Sequence, residues 1–223
     1  LLRELSEVLT QFPWEVILVD DDSPDGTADV VRELGCKDRR VRCLQRIGRR
    51  GLSTACVEGM LASSAPYIAV MDGDLQHDPA IIPTMLGLLE ESRVDLVVGS
   101  RYEEGGSLGS WTRSRVVISQ FATWLGRSLV PTDLKDPMSG FFMLRRSLLD
   151  EVVRNLSGLG FKILLDIFAS ARRPLEFREV PFVFRIRHAG MSKLDGQVMW
   201  EYLMLLADKL VGSYIPIRFI SFA

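Results

Sequence analysis

The sequence is poor in the residues that build thiolate or imidazole metal sites. Its 223 residues include three cysteines (Cys36, Cys43 and Cys56) and two histidines, His77 and His188. No CxxC pair occurs among the cysteines, so zinc and disulfide frameworks are excluded and the thiols read as ordinary reduced ones. The histidines share no metal-ligand spacing and read as surface or loop residues. No apolar run reaches the roughly 18–20 residues that a membrane-spanning helix needs. The start is a charged amphipathic stretch rather than a signal peptide. Neither acids nor bases dominate: the net charge of −2 supplies no global field to attract nucleic acid. Anion binding must come from local clusters. Repeats and low-complexity linkers are absent.

The composition is that of a folded protein, 47% hydrophobic and 25% charged, and the length suffices for one substantial domain. Both ends read as cut. Leu1, Leu2, Leu5, Val8, Leu9 and Phe12 recur at helical steps from the first residue, and the chain stops in the apolar IPIRFISFA. A catalytic domain is expected over 1–196. An interfacial helix and the start of a truncated membrane domain are expected over 197–223.

Apolar runs ending abruptly in polar residues recur along the first half: EVILVDDDSPDGT, YIAVMDGDLQHDP and VDLVVGSRY. Between them lie helical patterns over 27–34 (closed by Gly35), 53–64 and from Pro79 to about Glu91, with a short strand near Val41–Leu44. The alternation predicts an α/β fold with a mostly parallel sheet flanked by helices. Later come a glycine-rich loop, a long amphipathic helix around 112–129, the loop LKDPMSGFF, helices near 147–155 and 161–171, and a strand in LEFREVPFVFR. A basic loop, IRHAGMSKL, then leads to a last helix. Ligands of such sheets bind beyond the carboxyl ends of the strands. Three successive ends carry Asp20–Asp22, Asp72 with Asp74, and Arg101.

In an extended segment alternate side chains share a face, so DxDxQ would set Asp72, Asp74 and Gln76 along one side. Hard oxygen donors suit Mg²⁺ or Mn²⁺ and leave room for phosphate oxygens. Asp20 and Asp21 are candidates for hydrogen-bonding a base or ribose, while Asp22 and Asp25 read as turn and cap residues. Arginine pairs with phosphate in a bidentate manner, which singles out Arg101, Arg113, Arg115 with Ser119 one turn on, Arg185, Arg187 and Lys193. Arg145, Arg146, Arg172 and Arg173 read as scattered surface charge. Together the singled-out groups would hold two anions, a diphosphate on a metal and a second phosphate on arginines.

A response-regulator receiver domain also has acids after its first strands. It would end in about 120 residues and need a strand-end lysine, where this chain has Gly-Ser-Arg-Tyr. A nucleotidyltransferase would show a glycine-rich signature near its first strand. The ordered blocks VDDDSPDGT, RIGRRGLSTA, MDGDLQHDP, GSRYEEGGSLGSW, DPMSGFF and FRIRHAGMSKL instead resemble the dolichol-phosphate mannose synthases of the family 2 glycosyltransferases, over roughly residues 15–195. The resemblance implies a nucleotide-diphosphosugar-binding fold, GDP-mannose as donor, dolichyl or another polyprenyl phosphate as acceptor, and inversion at the anomeric carbon. It carries over Asp20, Asp21 and Gly51 toward the nucleotide sugar, and Asp72, Asp74 and Gln76 toward Mg²⁺ or Mn²⁺. Arg101, Arg115, Ser119, Arg187 and Lys193 fall to phosphates, and Asp136 to the reaction centre. It implies work at the cytoplasmic face of a membrane, with no nucleic-acid partner. A sister enzyme using UDP-glucose is the alternative. Two departures stand out: the strand that usually opens the fold is absent, and Ser53 stands where the family often has glycine.

Overall fold

The computed structural model describes residues 1–104, 131, 133–158, 160 and 162–185. Helix α1 (Leu2–Val8) precedes β1 (Val16–Asp20), α2 (Thr27–Lys37), β2 (Val41–Gln45), α3 (Leu52–Ala62) and β3 (Tyr67–Val70). A 3₁₀ turn (Pro79–Ile81) leads into α4 (Ile82–Glu91), followed by β4 (Leu96–Ser100) and β5 (Phe142–Arg145). The described chain closes with α5 (Arg146–Val152), α6 (Ile163–Ser170) and β6 (Phe177–Pro181). The expected interfacial helix over 197–223 lies outside the described residues. No described helix is long and apolar enough to cross a membrane.

Strands β1 and β2 pair in parallel, and a second sheet has the order β3-β5-β4-β6. There β4 and β6 are parallel, while β5 runs against both β3 and β4, so β3, β4 and β6 all point one way. Both faces of this sheet are covered. Leu96, Val98, Phe142 and Leu144 pack with Leu148, Leu149 and Leu164 on one side. Val97, Phe141 and Met143 pack with Met85, Leu89 and Leu5 on the other. A strand buried on both faces reads as a continuous apolar run, which is why VDLVV is recognisable.

Strand β5 lies where the sequence pattern predicts a loop running into a helix. It is only four residues long and passes straight into α5, with no turn residue to mark the boundary. Gly35 does not close α2, which runs on to Lys37. Its role is close approach: a Cβ there would lie 2.7 Å from the Val41 carbonyl oxygen, so only glycine lets α2 meet the start of β2.

Candidate active site

At the carboxyl end of β1 the acids mostly organise their own loops. Asp20 is buried and its Oδ2 accepts the Ser23 amide at 3.0 Å. Asp21 Oδ2 accepts the Gly51 amide at 2.8 Å, and its Oδ1 lies 2.9 Å from Arg46 Nη1. Arg46, 2% exposed, also donates to the Gly51 carbonyl and the Thr54 hydroxyl and lies 3.3 Å from Glu58. Asp21, Arg46 and Gly51 thus tie the glycine loop to the first strand end. Asp22, with φ +60°, accepts from Gln45, and Asp25 accepts the Thr27 amide and hydroxyl, a side-chain turn just ahead of α2, whose N-cap position is Gly26. Ser53 is fully buried, and its hydroxyl has no hydrogen-bond partner among the described residues.

At the end of β3 the geometry differs from the alternation the sequence implies. The strand stops at Val70, residues 73–75 bend, and Leu75 takes φ +66°. A left-handed leucine costs of order 1–3 kcal/mol and persists where the surroundings impose it. The bend lets Asp74 Oδ1 accept the Gln76 amide at 3.1 Å, so a turn rather than a pleat sets the directions of Asp72, Asp74 and Gln76. Gln76 is buried; its Nε2 donates to the Arg185 carbonyl at 3.1 Å, while the Arg185 amide donates back to the Gln76 carbonyl. Its side-chain oxygen is therefore turned away from the Arg185 carbonyl. Two carboxylates and one amide oxygen are hard donors that fit Mg²⁺ or Mn²⁺. Among the described residues no three or more His, Cys, Asp or Glu side chains gather as a metal site.

Arg185 is a phosphate candidate by sequence, but its guanidinium is engaged by Asp78 at 2.8 Å and Glu4 at 3.2 Å. It clamps the far end of the turn.

The end of β4 carries a buried ion pair. Asp136, 0% exposed, receives Arg101 Nε at 2.8 Å, Nη2 at 2.7 Å and the Arg101 amide at 3.0 Å. Glu179 on β6 accepts the amides of Lys135 and Asp136, and its burial pushes its own pKa up. Ser139 donates to the Gly99 carbonyl at 2.6 Å, fixing the DPMSGFF loop on β4. Much of Arg101's donor fork is thereby spent on Asp136, which makes the pair a fixed unit at the strand end.

Two residues that sequence reasoning passes over belong here. His77, read as a surface or loop residue, is 2% exposed and stacks on Phe141 at 5.2 Å. Lys162 is partly buried and donates to the Met138 carbonyl at 3.3 Å. Burial, then nearby Arg101, pulls its pKa down to about 8 against the opposing pull of Asp136 and Asp72. Ser157 donates to Asp166 through both amide and hydroxyl, which holds the loop before Lys162 onto α6. An isolated lysine or histidine carries no spacing signal; the adjacency of His77 to DxDxQ is the one available clue.

Asp72, Asp74, Arg101 and Asp136 all act electrostatically on His77, and Arg101, Asp136 and Asp72 act on Lys162, so these groups share one region. Cys56 on α3 feels both Asp72 and Asp21, which places the glycine-loop cluster beside them. Arg113, Arg115, Ser119, Arg187 and Lys193 lie outside the described residues. Of the arginines read as scattered surface charge, Arg172 is exposed, but the other three have structural partners. Arg145 donates to the Leu89, Ser92 and Val94 carbonyls around the end of α4, Arg146 to the Ser63 carbonyl, and Arg173 pairs with Asp95 through two nitrogens.

The layered α/β sheet thus carries an acidic turn after β3 and a buried Arg–Asp pair after β4, with the antiparallel β5 between those two strands, and its fold is that of glycosyltransferases. The glycosyl transferase family 2 model matches residues 1–153, and the chain belongs to that family. Within it the chain is similar to dolichol-phosphate mannosyltransferases. It is 39% identical to that of Pyrococcus furiosus over 205 residues, which are 91% of this chain and 57% of that protein. It is 38% identical to that of Mycosarcoma maydis (92% of this chain, 70% of that protein) and to that of Saccharomyces cerevisiae (93% and 80%). The chain thus spans little more than half of the Pyrococcus protein. Among solved structures it resembles glucosyl-3-phosphoglycerate synthase from Mycobacterium tuberculosis in complex with Mn²⁺, UDP-glucose and phosphoglyceric acid. That likeness has a TM-score of 0.65 and 16% identity, covers 92% of this chain and 73% of that one, and is a likeness of fold.

Proposed function

We propose that this chain transfers mannose from GDP-mannose to dolichyl or another polyprenyl phosphate, with inversion and with a divalent cation, at the cytoplasmic face of a membrane. The observation that carries the reading is that the acidic turn and the Arg101–Asp136 pair both act on the buried His77, in a chain 38–39% identical to dolichol-phosphate mannosyltransferases. Asp72, Asp74 and Gln76 would hold Mg²⁺ or Mn²⁺, which when bound offsets charge developing on the diphosphate. Asp21 and Gly51, fixed by Arg46, shape the nucleotide side, with Asp20 in the same loop.

The acceptor phosphate is already an anionic nucleophile. Its oxygen bonds to the anomeric carbon as the bond to the diphosphate breaks, so no strong general base is needed. Orientation by fixed cations can supply several kcal/mol of the barrier. Among the described residues we assign that task to Lys162, with Arg101 held in place by Asp136. Arg115, Ser119, Arg187 and Lys193 are assigned to phosphates by family resemblance. The aromatic and arginine-rich pattern of 112–129 suits a membrane-facing helix that meets the lipid.

Isothermal titration of the full-length protein with GDP-mannose and with UDP-glucose, each with and without Mn²⁺, tests the reading. Mn²⁺-dependent binding of GDP-mannose and weak binding of UDP-glucose are expected. The reverse preference would move the assignment to the glucose-transferring alternative.

A further inference from the structure

The turn that carries Asp72 and Asp74 is short and contains a left-handed leucine, so something must hold its first residue in place. The Asp72 carboxylate is partly exposed and looks toward the DPMSGFF loop: a Cβ added to Gly140 would sit 3.6 Å from Asp72 Oδ2. That same Cβ would sit 3.4 Å from His77 Cε1, so acid and imidazole face one glycine.

The Asp72 backbone amide donates to His77 Nδ1 at 3.0 Å. An Nδ1 that accepts cannot carry the ring proton, so the imidazole is the Nε2–H tautomer. Nε2 lies 3.9 Å from Asp72 Oδ2, beyond hydrogen-bond length, so the ring grips the residue through the backbone and not through its carboxylate. The ring itself is held on several sides. It stacks on Phe141 with planes 18° apart, and Phe182 and Phe184 approach it edge-on at 5.5 Å and 5.7 Å. Phe182 and Phe184 follow β6, in the same segment whose Arg185 pairs with Gln76 through both backbone groups.

We infer that His77 is a positioning residue for the metal turn: its Nδ1, aimed by three phenylalanine rings, fixes the Met71–Asp72 peptide plane and thereby the direction in which Asp72 presents its carboxylate. This role rests on the proposed metal-holding role of Asp72. Groups one step removed from the ion typically change metal affinity 10- to 100-fold when they are altered.

The test uses Mn²⁺ with GDP as the probe and reads bound Mn²⁺ by electron paramagnetic resonance on the full-length protein, with thermal unfolding in parallel. His77→Phe keeps an aromatic ring in the stack and removes the acceptor; Mn²⁺ affinity should fall by roughly 10- to 100-fold. His77→Asn places an amide oxygen near the position of Nδ1 and should recover most of that affinity although it gives up the stacking. Unchanged affinity in His77→Phe would overturn the inference, as would equal losses in the two variants or a loss that follows the fall in Tm. Asp72→Ala separates the two levels. If wild type binds Mn²⁺ and Asp72→Ala binds it as well, the metal-turn reading itself fails. If Asp72→Ala loses the ion while His77→Phe keeps it, only the role of His77 is wrong.

Discussion

For single residues, the decisive quantity is what becomes of a charge withdrawn from water. Arg101 is 8% exposed and Asp136 is not exposed at all, so their pair survives only because both ends are satisfied. Asp136→Ala leaves a buried guanidinium without its partner and should cost about 3–5 kcal/mol, measured by chemical denaturation. The double variant Arg101→Met/Asp136→Leu should lose much less than the sum of the two single changes. Additive losses would mean the pair is not a unit. Lys162 gives a pH-dependent case. Its folded pKa of about 8 lies below the ordinary lysine value of 10.5, so between those values the unfolded chain holds more protons. Stability contributed by this residue therefore rises as pH climbs from about 8 toward 10.5, and below about 8 its burial is a constant cost. Denaturation curves at several pH values should show that slope in the wild type and lack it in Lys162→Met.

Among the helices and strands, the first half is set by how closely one element can approach another. Gly35 of α2 meets the Val41 carbonyl, and Gly59 of α3 meets Val19, where a Cβ would lie 2.8 Å from Cγ2. Gly35 is the less forgiving position because its neighbour is backbone. Gly35→Ala should destabilise by roughly 1–3 kcal/mol despite alanine's better helix propensity, since α2 must shift off β2. A thermal melt of the variant checks this, and a gain in Tm would mean the contact yields easily. Loop DPMSGFF is held differently, by the Glu179 carboxylate on the amides of Lys135 and Asp136 and by Ser139 on β4, so its order depends on β6 being in place.

Across the molecule, charges from separate strand ends are brought together around one buried ring. The buried His77 ring feels Asp72, Asp74, Arg101 and Asp136 together, so these charges share one region. A cation with a diphosphate should therefore act as a stabilising ligand of the native state. At about 100 times the dissociation constant, ligand binding contributes about 2.7 kcal/mol. For a domain of this size that is roughly 5–10 °C in Tm. GDP with Mn²⁺ should raise Tm by that order, GDP alone by much less, and Asp72→Ala should abolish the Mn²⁺-dependent part. A shift that survives in Asp72→Ala would place the ion elsewhere.

The α/β alternation, the strand ends that carry acids or arginine, and the family are all legible in the linear order of residues. Apolar runs that stop abruptly in Asp or Arg are local signals, visible wherever a strand buried on both faces meets a polar loop. Contacts between residues far apart in the chain leave no such trace. Strand β5 is a four-residue segment whose strand character comes from pairing with β3 and β4. His77 resembles a loop residue because Phe141, Phe182 and Phe184, which bury it, lie at least 64 positions away. Arg145 resembles surface charge until folding sets it beside the carbonyls at the end of α4. Even DxDxQ, recognised as a motif, depends for its shape on a left-handed Leu75 and on Arg185 pairing with Gln76 across 109 positions. Local propensity and hydrophobic pattern are written in neighbouring residues; burial, ion pairing and strain arise only when distant segments pack.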